Sequence, residues 1–275
     1  MAAAVEVRLP GGVWREGACA RDAKLRPLAP EDERALADAA EEVLPAQFAT
    51  AALGRGLVGV GGRSATGEET ARELTIGDRH ALLLHLRRIT VGDRLACVFR
   101  CPMPHCGEQL ELELQVDELL VSPGEGPPPW HEVKHGGRRV RFRLPTGDDQ
   151  ERAARKALAE GVEASVDGLL AACAEGDVRE WPAELRDRVI ERMSELDPQA
   201  ELMLTLTCPV CNEASSVPFD LIAYLRDELL DRVGRLEREV HVLASAYGWS
   251  EEEIVGMAPG RRRRYLTMVE SGGRS

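Results

Sequence analysis

Aromatic residues make up only 4% of the 275 positions, so a core has to be assembled from Leu, Val and Ala rather than from stacked rings. Long apolar runs are missing as well. No stretch approaches the roughly 18 consecutive apolar residues of a membrane span, and the opening MAAAVEVRLP has neither a basic region nor a following apolar region of the secretory kind. The expectation is a cytoplasmic protein without a membrane partner. Basic residues are outnumbered 47 to 35, and the net charge of −12 repels phosphate backbones, which argues against general nucleic-acid binding. Only Lys24, Lys134 and Lys156 are lysines, a skew that reflects GC-rich coding and says nothing about function. A Gly-rich phosphate loop, a nucleophile elbow and a paired-carboxylate motif are all lacking, so neither an enzyme nor a small-molecule substrate is expected. What is present, 44% apolar and 30% charged residues, describes a globular chain of one large or two small domains.

Val5, Val7 and Leu9 alternate and run into Pro10-Gly11-Gly12, which predicts a short strand and a turn. A helix is expected from Pro30, with Glu31, Asp32 and Glu33 complementing its positive end, and a second after Pro45. The glycine-rich stretch Gly59 to Gly67 reads as a loop or hinge. Thr75 and Asp78 form an N-cap pair that opens a helix through Leu82, Leu83, Leu86 and Ile89, ending at Gly92. From Leu95 the period changes to two. Leu95, Cys97, Phe99 and Cys101 share one strand face, and Leu110, Leu112, Leu114 and Val116 share another. The same design recurs 107 positions later, where Leu202, Leu204, Leu206 and Cys208 alternate before Val217 and Phe219 resume the pattern. Between these strand, knuckle, strand units lie a Pro/Gly linker from Ser122 to Pro129, a strand pair, and helices ending near Leu196 at Asp197-Pro198. Leu229, Val233, Leu236, Val240, Leu243 and Tyr247 then form a heptad seam of the kind that packs internally or against a partner helix. Gly248 suits a helix end, and Ser250 with Glu253 is a capping box for another helix.

Seven cysteines without a secretion signal argue for reduced thiols. Cys101-x4-Cys106 and Cys208-x2-Cys211 stand on matching turns, and two thiolate pairs can close a tetrahedral zinc site with no open position, hence structural. The 102 positions between Cys106 and Cys208 exceed the usual spacer. Closing that loop costs about 4 kcal/mol plus a constant, against about 10 to 16 kcal/mol from structural zinc. His105 or Cys97 could replace one of these ligands, whereas Cys19 and Cys173 read as small buried residues. His131-Glu132-Val133-Lys134-His135 matches the metalloprotease string H-E-x-x-H. The prolines before it, Gly136-Gly137 after it and the alternation of Val140, Phe142 and Leu144 place it instead on a hairpin, where that chemistry fails. Arg261 to Arg264 point all round a helix, and pairing with acidic surfaces, Glu251, Glu252 and Glu253 among them, is expected.

Several segments together resemble the baseplate hub assembly proteins of T-even bacteriophages and their relatives in contractile injection system clusters. They are LRPLAPEDE at 25–33, LTIGDRHALLLHLRRITVGDRL at 74–95, VRFRLPTGDDQ at 140–150, LDPQAELMLTLTCPVC at 196–211 and EVHVLASAYGWSEEEI at 239–254. Two departures are the four residues between the first cysteine pair, where a tighter pair is typical, and Gly248, where a more helical residue is usual. The resemblance implies a tail or injection-particle component, or a factor acting in the cytoplasm during its assembly, with baseplate hub or spike proteins as partners through the C-terminal helices. The competing reading is a zinc-stabilised cytoplasmic adaptor or regulator whose arginine helix binds an acidic protein. The expected fold is α+β, with two zinc-ribbon-like units, an inserted strand and helix segment, N-terminal helices and a helical C-terminal tail. Its divisions are 1–69 (strand, helices and hinge), 70–118 (helix and first knuckle), 119–200 (insertion), 201–219 (second knuckle) and 220–275 (C-terminal helices).

Overall fold

A computed structural model describes residues 3–65, 67–122 and 128–272. It is an α+β protein of short antiparallel strand pairs and helices, with a helical C-terminal region. The strands are β1 (Val5–Arg15), β2 (Ala18–Leu25), β3 (Leu57–Val60), β4 (Arg63–Ser64), β5 (Arg94–Arg100), β6 (Gln109–Gln115), β7 (His131–His135), β8 (Arg138–Phe142), β9 (Met203–Thr207) and β10 (Ala214–Pro218). The helices are α1 (Pro30–Ala39), α2 (Pro45–Gly56), α3 (Glu68–Glu73), α4 (Ile76–Thr90), α5 (Val116–Leu119), α6 (Gly147–Glu160), α7 (Val162–Cys173), α8 (Ala183–Leu196), α9 (Leu221–Tyr247), α10 (Glu251–Val255) and α11 (Pro259–Gly272). The first four strands form one sheet in the order β1-β2-β3-β4, and the other six form three separate hairpins.

Local chemistry explains most boundaries. Pro30 and Pro45 occupy the first turns of α1 and α2, where a missing N–H costs nothing. Thr75 caps α4 by accepting from the Asp78 N–H, Ser250 caps α10 in the same way, and left-handed Gly248 ends α9. On β5 and β6 the cross-strand pairs Leu95 with Leu114, Cys97 with Leu112, and Phe99 with Leu110 lie on one face, as their period of two requires.

Three sequence expectations need correction. Pro10-Gly11-Gly12 does not turn the chain; β1 continues through it to Arg15 and pairs with β2, with an irregularity between Arg8 and Val13. The Gly11 and Gly12 N–H groups donate to the carboxylate of Asp78, at 2.8 Å each, and so leave the ladder locally. The Gly59–Gly67 hinge is instead mostly the β3–β4 pair, turning at Gly61-Gly62; Thr66 lies outside the described residues. Val116 does not extend β6 but opens α5, with its side chain fully buried. Of the Ser122–Pro129 linker, residues 123–127 are likewise outside the described set.

The main core packs α1, α2, α4 and the first half of α9 against the N-terminal sheet and the inner faces of the β5–β6 and β9–β10 hairpins. A second core inside the insertion joins β7 and β8 to α7 and α8, around Phe142, Leu185 and Val189. The heptad seam is largely internal: Leu229 and Val233 belong to the main core, and Leu243 is fully buried. Two ion pairs fasten α9 in place. Arg87 on α4 meets Glu228 at 2.7 Å, and Arg232 meets Glu33 of α1 at 2.8 Å. The C-terminal region is therefore rooted in the core and does not hang from it as a tail.

Polar links converge on the start of α4. The Gly77 N–H donates to Asp197 at 2.9 Å, Asp78 holds β1, and His80 contacts the Gln199 carbonyl through Nδ1 at 3.2 Å. Arg79 is wholly buried and donates to the carbonyls of Ala71 and Ala46 and to the Thr50 hydroxyl. Thr50 donates in turn to Glu151 of α6 at 2.6 Å, and Arg72 reaches the same carboxylate.

A Cβ on Gly77 would lie 1.8 Å from Asp197 Oδ1, so no other residue fits without expelling that carboxylate. Gly77→Ala is expected to cost about 2–4 kcal/mol in urea unfolding. Gly234→Ala, in the middle of α9 with only Arg238 Nη1 nearby at 3.6 Å, should instead gain about 0.5–1 kcal/mol.

Burial, opposed by the Gly77 N–H and aided by the charge of Asp78, pushes the Asp197 carboxyl from its ordinary 3.8 up to about 6. The folded chain then holds a proton that the unfolded chain releases, so this group favours folding fully below pH 3.8 and loses that effect as pH rises through 6. Its contribution between pH 5 and pH 7 is about 1 kcal/mol. Asp197→Asn should remove that difference, read as the gap between urea midpoints at the two pH values; an unchanged gap contradicts it.

Candidate metal centre

A cysteine follows immediately on the last residue of β5 and of β9. Cys101 and Cys208 are both buried, at the ends of runs that already point Phe99 and Leu206 inward. The two knuckles then close alike. The Cys101 N–H donates to the Glu108 carbonyl at 2.8 Å, and the Cys208 N–H to the Glu213 carbonyl at 3.0 Å. In each case the acceptor lies two residues beyond the second cysteine of the pair. That second cysteine is followed by a left-handed residue, Gly107 at φ 63° and Asn212 at φ 60°, types that tolerate this conformation. The two additional residues of the first knuckle are taken up within its turn, where the Cys106 N–H donates to the Met103 carbonyl.

All four sulfurs lie within 4.8 Å of one another. Cys101 and Cys211 are 3.7 Å apart, as are Cys106 and Cys208, so the close contacts run between the hairpins. Four thiolates at about 2.3 Å from a tetrahedral ion are separated from each other by about 3.8 Å. The donor set and its spacing therefore fit one soft divalent ion, and the four cysteines could bind a metal. Backbone N–H groups of Cys211 and Val210 lower the Cys208 thiol, whereas at Cys106 and Cys211 the backbone N–H groups of Glu108 and Glu213 are outweighed by burial and the neighbouring sulfurs, which raise the thiols. A surround of Leu110, Leu206, Met103 and Val217 keeps the cluster apolar.

The alternatives to this set lie elsewhere. His105 is exposed on the first knuckle and outside the cluster. Cys97 is buried on β5 four residues before Cys101, where burial pushes its thiol up to about 11. Cys173 is buried against Asp149 and Arg143 of the insertion, and Cys19 is half-buried on β2. His131 and His135 stand on β7 with Gly136-Gly137 turning into β8. Four strand residues span about 13 Å, so the two rings cannot share an ion as they would on a helix. His131 packs on Phe142 instead, with ring centroids 5.5 Å apart. Among the described residues the four-cysteine group is the one cluster of metal-ligating side chains.

The arginine run does meet a nearby acid, as expected, though not one of the three glutamates that open α10. Arg262 turns inward to pair with Glu239 of α9, and Arg261 lies over the Tyr265 ring at 5.7 Å. Glu251 pairs with Arg34 of α1 at 2.8 Å, while Glu253 is engaged in the α10 cap.

Fold and site together define an α+β protein in which two β-hairpins, far apart in sequence, meet through four sulfurs. Residues 60–224 match the family model described as T4 bacteriophage base plate protein. That match covers more than half of the chain, including both cysteine pairs and the insertion between them, and the chain belongs to this family. Neither a curated protein nor a solved structure matches it. No helix of the described residues is long and apolar enough to cross a membrane.

If the four sulfurs form one site, elemental analysis of freshly prepared protein should find about one metal ion per chain. Cys208→Ser should abolish that content and lower the melting temperature, while Cys19→Ser leaves the metal unchanged.

Proposed function

We propose that this chain is a non-enzymatic component or assembly factor of the baseplate hub of a phage tail or contractile injection system. Cys101, Cys106, Cys208 and Cys211 hold a structural zinc ion in it. The observation that carries the reading is the family match over 60–224, which spans both hairpins and so covers the metal centre and most of the core together. Zinc is favoured by chemistry: an all-thiolate tetrahedral set selects zinc over harder cations, and the reduced thiols match a cytoplasmic site of assembly. Four protein ligands leave no open coordination position, so the ion serves to join the two zinc-ribbon-like units rather than to activate a substrate. The partners are other baseplate proteins, hub or spike subunits in the first place.

Removing the gene from the parent system is expected to stop formation of extended, sheathed particles, seen by electron microscopy, and a plasmid copy should restore them. Normal particles in the deletion strain would overturn the role. Quantitative mass spectrometry of purified particles then divides the two forms of the proposal. A few copies per particle mark a structural subunit, whereas abundance in the lysate without presence in particles marks an assembly factor.

A further inference from the structure

The helix α11 carries four arginines against the single glutamate Glu270, in a chain whose net charge is −12. The local charge is thus opposite to the global one. Arg261, Arg264, Tyr265 and Met268 follow the spacing i, i+3, i+4, i+7 and share one face of the helix. Arg261, Arg264 and Met268 are exposed, Met268 by 59%. That face continues into an aromatic cluster. Tyr247 stacks on Trp249 at 4.5 Å, Trp249 meets the Tyr265 ring edge-on at 4.8 Å, and Tyr247 keeps 39% of its surface in solvent. The nearby acids do not neutralise it, because Glu239 is taken by Arg262, Glu251 by Arg34 and Glu253 by the α10 cap, and Glu252 is exposed on α10 without an ion pair to the arginines.

We propose that this face of α11, with Tyr247 and Trp249, is a docking surface for an acidic segment of another baseplate protein. The inference rests on the baseplate reading above and names the chemistry of the partner. Tyr, Trp and Arg are the residues that dominate binding energy at protein interfaces, and here rigid rings and exposed guanidinium groups lie side by side with an apolar methionine. An acidic segment with an apolar side chain between its carboxylates matches that pattern. Nucleic acid matches it less well. Tyr247 and Trp249 are already stacked on each other, which leaves no gap between them for a base.

The test uses the full chain and a fluorescein-labelled synthetic peptide that alternates Asp-Glu pairs with leucine, followed by fluorescence anisotropy. Binding is expected, should weaken with added salt, and should fall by about tenfold or more in Arg261→Glu/Arg264→Glu. Arg188→Glu/Arg192→Glu on α8 makes the same charge change and should have little effect; equal losses in both variants would overturn the proposal. Met268→Glu serves as a second probe of the face, with circular dichroism and unchanged metal content as controls of folding. Preference for a short DNA duplex over the peptide overturns it, as does self-association of the chain that Arg261→Glu/Arg264→Glu abolishes. In the deletion strain the double variant should fail to restore particles although it accumulates normally. Full restoration by the variant removes the surface and leaves the baseplate reading standing. Normal particles in the deletion strain itself remove the baseplate reading, and the peptide measurements then decide the surface alone.

Discussion

The first turn of a helix leaves N–H groups without internal partners, and at α4 one of them, on Gly77, together with the three side chains that follow it organises the molecule. Gly77 gives its N–H to Asp197, which lies 120 positions away at the end of the insertion. Asp78 reaches back to β1, Arg79 to α2 and α3, and His80 to the Gln199 carbonyl, two residues after Asp197. Four consecutive residues thus bind the N-terminal sheet, the N-terminal helices and the far end of the insertion to one helix start. Gln199 extends the same junction, since its buried amide donates to the Leu119 carbonyl and accepts from the Val121 N–H. Such a junction is costly, the more so because Arg79 Nε and His80 Nε2 are buried in it without a protein hydrogen-bond partner. Burial pulls the Arg79 guanidinium down to about 10, and its desolvation is offset only because three acceptors stand at its nitrogens with the Glu151 charge behind them.

The sulfur cluster does different work from this junction. The two hairpins it joins already share an apolar face with the main core through Leu95, Leu202 and Phe219, so their inner halves are held by burial. Their outer ends have only a small cluster around Leu110 and Leu206. A handful of side chains that size cannot offset the ordering of two turns, and there a metal ion would contribute most. The polar junction therefore fixes the middle of the molecule, while a metal ion held by the four sulfurs would fix the tips.

Much of this was legible in the sequence where a local rule acts alone. Prolines at helix starts, the Thr75 and Ser250 caps, alternation on β5 and β9, and the Gly-Gly turn behind His131 each depend on neighbours in sequence, and each stands as expected. The cysteine pairs were legible too, because thiol spacing on a turn is itself local; the convergence of the pairs was an inference from ligand number, and the 3.7 Å contacts bring them together. What was hidden is long-range. Asp78 reads as a helix-cap partner, and nothing near it announces that its carboxylate will hold Gly11 and Gly12 and carry β1 past a Pro-Gly-Gly turn signal. Arg79, Asp197 and Gln199 look like surface residues until their partners, 33, 120 and 80 positions away, are known. The strand β2 carries too little alternation to be seen without the β1 it pairs with.

The order of the hairpins along the chain also sets a timetable. Synthesis at about 5–20 residues per second means that the second cysteine pair leaves the ribosome some 5–20 seconds after the first. Through that interval Cys101 and Cys106 supply only two of the four sulfurs that could enclose an ion. The intervening insertion has its own apolar core and can fold in the meantime, which shortens the distance the second hairpin must search. A site at the four sulfurs can therefore close only once the segments on both sides of the insertion have arrived.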